Sequence, residues 1–302
     1  MMYHIPVLLH TCIEGLNIQP DGIYVDCTFG GGGHSKAILE KLSAKGKLFS
    51  FDQDEAAAKN ALEDERFTLI QQNFRFLKNY LKLYKVNKVD GILMDLGVSS
   101  HQFDEADRGF SIRFDHELDM RMNQLQSLTA KKIIAEWTEE QLRWIFKTFG
   151  EIDVAGKLAR HIINVRSDNK IETTGKLLQI IQPFSRKGQE HQFAAQVFQA
   201  IRIAVNDEIE SLKSVLMQCE ELISPGGRLV VLSYHSLEDR LVKNYIRSGK
   251  FEGEAEKNLF GVSKTPFGAI NRKPIRPTEE EIKINNRARS AVLRIAQRKE
   301  NE

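Results

Sequence analysis

Only three cysteines, Cys12, Cys27 and Cys219, occur among the 302 residues. They show neither C-x-x-C spacing nor a neighbouring Cys/His cluster, which argues against a disulfide framework, and no metal site is expected. Small buried side chains in a reducing compartment account for them. No apolar run approaches the length that spans a bilayer. The opening Met-Met-Tyr-His-Ile-Pro has neither the basic nor the apolar region of a secretory signal. A cytoplasmic protein with no membrane partner is expected. The chain also lacks G-x-x-x-x-G-K-[ST], so the usual nucleoside triphosphate cradle is absent. Internal repeats and low-complexity segments are absent too.

Charge of one sign is scarce overall but not locally. The formal net charge is +2, yet Lys264 to Lys299 holds ten Lys/Arg against three Glu. That local +7 leaves about −5 for the rest of the chain, given the +2 total. A basic tail on a near-neutral protein suits a polyanionic partner or, more plainly, a solvated surface.

What is present is a strand–helix alternation. Ile-Tyr-Val-Asp-Cys, ending at Cys27, reads as a buried strand after an Asp-Gly turn. Four glycines, Gly30 to Gly33, follow, and Ser35 is placed to cap the next helix. Strands are expected again at 48–51, 67–71 and 91–94, with helices at 56–62 and 76–84 between them. After Gln102 the text turns polar and then helical, with one long helical pattern from about Phe193 to Leu222. Strand character returns at Gly227–Ser233, and Ser290–Ile295 could be an edge strand or a helix. The fold class expected is α/β, a Rossmann-like sheet with an inserted all-helical domain. The sheet domain takes 1–104 plus 206–302 and the insert 105–205. The insert's long helices could pair two copies into a homodimer.

Ligands of such sheets sit at the carboxyl ends of the strands, where a glycine loop lets backbone approach closely. Asp26, the glycines, Asp52 and Asp95 all fall at such ends. Asp52 lies about 20 residues past the loop and is placed to take both hydroxyls of a ribose. Ribose binding alone leaves two cofactors open, S-adenosylmethionine and a nicotinamide. Read from Gly30, G-x-G-x-x-G ends on Ser35 instead of glycine, which argues against a nicotinamide dehydrogenase. A cofactor-keeping RNA-binding or ribosome-assembly factor with no activity is the other alternative.

Several segments resemble one family, the small-subunit ribosomal RNA methyltransferases H, or MraW methylases. They are His4-Ile-Pro-Val-Leu-Leu9, Asp26-Cys-Thr-Phe-Gly-Gly-Gly-Gly-His-Ser35, Asp95-Leu-Gly-Val-Ser-Ser-His-Gln-Phe103 and Arg108-Gly-Phe-Ser111. Further along come Leu118-Asp-Met-Arg-Met122, the run from Gln196 to Glu208, Ser233-Tyr-His-Ser-Leu-Glu-Asp-Arg240 and Asn286-Arg-Ala-Arg-Ser-Ala291. Two departures stand out: His116-Glu117 replaces the family's Gly-Pro, and Asn286 stands where the family often has Pro. The resemblance implies methyl transfer from S-adenosylmethionine to the exocyclic N4 of a cytidine in 16S rRNA, near the decoding centre of the small subunit. By position it implies Gly32, Gly33 and His34 in the cofactor loop and Asp52 on the ribose. Phe74 would lie beside the adenine, with Asp95 and Gln102 near the reacting end.

The N4 lone pair of cytosine is delocalised into the ring, so acceptors for the amino protons would help localise it. The proton becomes acidic only as the new bond forms. Asp95 or the backbone carbonyls after it are the candidate acceptors, and His235 the candidate proton acceptor or substrate contact. Each has a plainer role available. Asp95 could only bind cofactor, His235 could cap its helix or pair with Glu238, His34 could bond the loop backbone, and Phe74 could be core. The [Ser/Asp/Asn]-Pro-Pro-aromatic signature of many amino methylases is replaced by Asp95-Leu96-Gly97-Val98. The aromatic that would stack on the flipped base is then Phe103, Phe110 or Tyr234, and the sequence does not choose. RNA phosphates are offered Arg108, Arg113 and Arg121, unless these pair with Asp107, Asp115 and Asp119. The tail offers Arg272, Lys273, Arg276, Arg287 and Arg289.

Overall fold

The computed structural model describes residues 6–256 and 265–300. His4 and Ile5 of the first motif, and Lys264 of the basic stretch, lie outside the described residues. The chain divides into two compact units, one running to Gly97 and resuming at Ile209, the other Val98–Glu208.

The first unit is built on seven strands: β1 (Ile23–Asp26), β2 (Lys47–Phe51), β3 (Phe67–Ile70), β4 (Val89–Asp95), β5 (Ile223–Ser233), β6 (Phe267–Ala269) and β7 (Val292–Arg298). Their order is β3-β2-β1-β4-β5-β7-β6. The first five are parallel, while β7 runs antiparallel to both its neighbours. Alternate residues bury into two separate cores. Val25, Ile92, Met94, Leu229 and Val231 face one, and Tyr24, Leu93, Val230 and Leu232 face the other. A sheet covered on both faces explains why these strands read as continuous apolar runs. Direction reverses between β1 and β4, so the switch point lies at Asp26 and Asp95.

Three expectations need correction here. The run ending in Ile295 is a strand, but an interior one, since β6 takes the edge. The stretch near 56–62 closes as a 3₁₀ segment, Glu55–Asn60, not an α-helix. Ser35 does not cap its helix, which opens at Gly33 with Gly32 as cap residue; its hydroxyl is turned inward instead, onto Asp26 and Ser50.

The second unit is helical, with a core of residues such as Ile133, Leu142, Phe146, Leu158, Ile162, Leu177, Val197 and Ile201. It starts at Val98 and ends at Glu208, wider than 105–205 on both sides. Val98 and Phe103 pack against its core, and Glu208 pairs with Arg202 at 2.9 Å. The long pattern from Phe193 is two helices, Glu190–Asn206 and Glu208–Leu222, because Asp207 turns left-handed at φ +50°. Asn206 then clasps the Leu118–Met122 motif: its Oδ1 accepts from Met122 N at 2.7 Å and its Nδ2 donates to Met120 O at 2.8 Å.

Candidate active site

The loop after β1 is stitched to the strand ends on either side. Cys27 N donates to Leu93 O and Phe29 N to Phe51 O. Asp26, fully buried, accepts from Thr28 N (3.0 Å), Thr28 Oγ1 (3.3 Å) and Ser35 Oγ (2.7 Å). Asp26 is thus the organiser of the loop. Gly30 (φ +50°) and Gly32 (φ +77°) take the left-handed turns that the loop path requires. Gly33 is glycine for another reason: a Cβ there would stand 2.3 Å from Pro6 Cγ.

Asp52, just past β2, accepts Gly30 N at 2.8 Å and Asp54 N at 2.9 Å. Burial pushes its carboxyl up to about 6; these two N–H groups oppose the rise, and Asp54 and Asp26 add to it. Asn60 Nδ2 donates to Gly30 O, tying the same rim together. Phe74 opens the 3₁₀ turn after β3, partly buried against the sheet core. Its neighbour Asn73 donates to Gln53 Oε1 at 2.9 Å, which holds that turn beside Asp52.

Asp95 ends β4. Its N–H donates to Thr28 Oγ1 at 2.7 Å, and its Oδ1 accepts from Tyr234 Oη at 2.7 Å. His34 Nδ1 lies 3.7 Å from its Oδ2. His34 is only 5% exposed, and its Nε2 is buried with no hydrogen-bond partner among the described residues. Burial pushes the Asp95 carboxyl up, His34 and Tyr234 pull it down, and Asp26 and Glu238 push it up again.

The carboxyl ends of five parallel strands therefore gather a glycine loop, an acid with an ionisation near neutrality, an unsatisfied imidazole and a carboxylate–phenol pair. Residues 1–299 match the family model of the MraW methylase family. The chain belongs to that family. It is a methyltransferase, and its methyl donor is S-adenosylmethionine. Its similar relatives include the ribosomal RNA small subunit methyltransferase H of Christiangramia forsetii, 57% identical over 99% of this chain and 98% of the relative. The protein of that name from Flavobacterium johnsoniae is 55% identical, with the same shares covered. Among solved structures it is similar to a rRNA methylase from Streptococcus thermophilus, at 14% identity and TM-score 0.41 over 99% of each chain. The dehydrogenase and the inactive assembly factor are set aside by this membership.

The methyltransferase's own residues fit that donor. Buried Nε2 of His34 lacks a partner that a polar ligand would supply, since an unpaired buried nitrogen costs about 1–3 kcal/mol. Asp52 is a half-buried acid held by backbone N–H groups, ready for hydroxyl donors. Other candidates are placed differently. His235 caps the helix Ser236–Ser248: its Nδ1 accepts from Glu238 N, and its Nε2 lies 3.1 Å from Glu238 Oε1. Nδ1 serves as the helix cap, while Nε2 is buried without a hydrogen bond among the described residues, so capping is the role the geometry supports for His235. Gln102 is 5% exposed and closes a capping box with Ser99.

Arg108 is buried and donates to the carbonyls of Arg121 and Met122. Arg121 grips Asp119 with two nitrogens, at 2.8 and 2.7 Å, and donates to Gln124 O and Gln126 O. Both arginines hold the helical unit together, so neither is a phosphate clamp. Arg113 is exposed, as are Arg272, Lys273, Arg276 and Arg289, while Arg287 is half-buried. Two other tail cations are structural: Arg294 pairs with Asp239 at 2.6 and 2.9 Å, and Arg298 bonds carbonyls of Glu220 and Pro266. The residue the sequence reading underused is Tyr234, considered only as a stacking ring. Its signal was the Ser-x-x-Glu-like spacing from His235 to Glu238, which marks a cap and leaves Tyr234 to turn towards β4.

The Pro6 contact gives a direct test. Gly33→Ala is expected to cost about 1–3 kcal/mol of stability by overpacking and to weaken S-adenosylmethionine binding. Pro6→Ala/Gly33→Ala should recover at least half of both losses. Urea unfolding and calorimetric titration of the four proteins would check the coupling; strict additivity would show that the clash is relieved elsewhere.

Proposed function

We propose that the protein transfers the methyl group of S-adenosylmethionine to the exocyclic N4 of a cytidine in 16S rRNA, near the decoding centre of the small ribosomal subunit. Relatives at 50–57% identity carry the name ribosomal RNA small subunit methyltransferase H, which supports a small-subunit rRNA substrate in the cytoplasm. The observation that carries the amino-group reading is the Asp95 carboxylate, fixed at the end of β4 beside His34 with one oxygen held by Tyr234.

The backbone of Gly32 and Gly33 and the His34 ring would hold the donor, with Asp52 on its ribose and Phe74 beside its adenine. When bound, S-adenosylmethionine supplies a methyl carbon whose bonding pair stays on sulfur as the bond to N4 forms. The chain's task is to place the acceptor nitrogen in line behind that carbon. Asp95 accepts a hydrogen bond from the amino group and so localises its lone pair. As N4 becomes cationic, Asp95 takes its proton and passes it to solvent. The surrounding RNA is held by Arg113 and by the tail cations Arg272, Lys273, Arg276, Arg287 and Arg289. The helical unit, Val98–Glu208, is assigned to RNA recognition through surfaces other than Arg108 and Arg121.

The test is mass spectrometry of nucleosides after incubation with small subunits from cells lacking the protein. N4-methylated cytidine is the expected product, and a ring-carbon methyl would overturn the reading. RNA binding should also follow counterion release. Neutralising Arg272, Arg276 and Arg289 together is expected to lower the slope of log affinity against log salt by about 2. Titration at several salt concentrations checks this, and an unchanged slope would remove the tail from the interface.

A further inference from the structure

Tyr234 enters the site by its backbone as well as its ring. Its N–H donates to Glu238 Oε2 at 2.9 Å, and the same carboxylate lies against His235. The first turn of the helix Ser236–Ser248 thereby fixes where the Tyr234 ring begins. The ring reaches from the end of β5 to the end of β4 and places its hydroxyl 2.7 Å from Asp95 Oδ1. Asp95 is thus held at two points by two different elements: its N–H by Thr28 from the β1 loop, its Oδ1 by Tyr234 from beyond β5. Among the described residues, Oδ2 takes no hydrogen bond, and the nearest cation-forming group is His34 Nδ1 at 3.7 Å.

One oxygen is saturated and the other is left over, on a carboxylate whose direction is set from two sides. We propose that Tyr234 is the positioning residue of the methyl transfer: its hydroxyl locks the Asp95 rotamer so that the free oxygen alone faces the acceptor amino group. This rests on the reading of Asp95 given above. The phenol is a fixed donor, because burial and the adjacent Asp95 push its own ionisation well above 10. Five groups from the surrounding elements face Asp95. His34 and Tyr234 favour its charge, Asp26 and Glu238 oppose it, and Cys12, on the helix Leu9–Leu16, stays a neutral thiol because burial pushes it up. Removing the hydroxyl deletes one of the two groups that stabilise the charge among the described residues.

The deciding experiment compares wild type with Tyr234→Phe, which keeps the ring and loses the donor. First, the Asp95 carboxyl is titrated in the ligand-free protein by carbon-13 NMR of labelled aspartate, with Asp95→Asn giving the assignment. The Phe variant is expected to titrate at least about half a pH unit higher, since a hydrogen bond to a charged group is lost. Second, methyl transfer should fall about 10- to 100-fold in kcat, with the Kd for S-adenosylmethionine within about twofold and the acid limb of the pH profile displaced upward. A structural role for Tyr234 alone would lower the melting temperature without moving the titration. An unmoved Asp95 titration overturns the inference. If wild type puts no methyl on cytidine N4, the proposed function fails, and the ligand-free titration still decides whether Tyr234 controls Asp95.

Discussion

S-adenosylmethionine should bind progressively more weakly as pH falls below about 6, by roughly tenfold per unit, and Asp52→Asn should abolish that dependence. An ionised carboxylate accepts from both ribose hydroxyls with charge-assisted strength, while protonation turns one oxygen into a donor and removes the charge; the ligand-free protein takes up that proton on Asp52 near pH 6. Binding therefore releases a proton below that pH and none well above it. Folding runs the other way. The carboxyl is raised from the usual 3.8 to about 6, so its favourable contribution to stability is full below 3.8 and lost as pH rises through about 6. At neutral pH the unliganded fold carries a strained charge, which the ribose hydroxyls relieve. Two hydrogen bonds to a charged group contribute about 1.5–3 kcal/mol each, so Asp52→Asn should weaken binding by about 100-fold or more at pH 8. Calorimetry in buffers of different ionisation heat, from pH 5 to 8, reads both affinity and proton count. A flat pH profile in wild type would remove Asp52 from the ribose.

The carboxyl-end acids were legible because a parallel strand advertises both its apolar run and its end. Asp26, Asp52 and Asp95 each close such a run, whereas the reversal of strand order between β1 and β4 appears only in the sheet itself. Ser35 misled because a serine after glycines looks like a cap, while its actual partners, Asp26 and Ser50, belong to a strand end and a neighbouring strand. Long-range pairing of this kind leaves no local pattern. The same holds for Arg108, whose basic side chain reads as a phosphate ligand, whereas the Arg121–Asp119 pair was one of the two roles the sequence offered. Arg121 folds back on Asp119, two residues away, and Arg108 is drawn into carbonyls more than ten residues along. Asp207 could not be read as a break, because it interrupts a helical pattern whose apolar periodicity continues on both sides. Gly33 looked like a ligand-approach glycine, yet the atom closest to its missing Cβ belongs to Pro6.

Asp95→Asn is expected to lower kcat by about 10²- to 10⁴-fold while leaving the S-adenosylmethionine Kd within about threefold. Asparagine keeps the shape and can still accept the Tyr234 hydroxyl, so the rotamer survives. What disappears is the charge that takes the N4 proton as the nitrogen becomes cationic. The acid limb of the wild-type pH profile should vanish with it, because no carboxyl remains there to be protonated. A loss confined to Kd would instead make Asp95 a cofactor ligand. The double variant Tyr234→Phe/Asp95→Asn carries the argument further. If Tyr234 acts only through Asp95, the second substitution has nothing left to misdirect, and the double variant should be no slower than Asp95→Asn alone. Multiplying losses would mean that the phenol touches the substrate itself, as a stacking ring or a second hydrogen-bond donor.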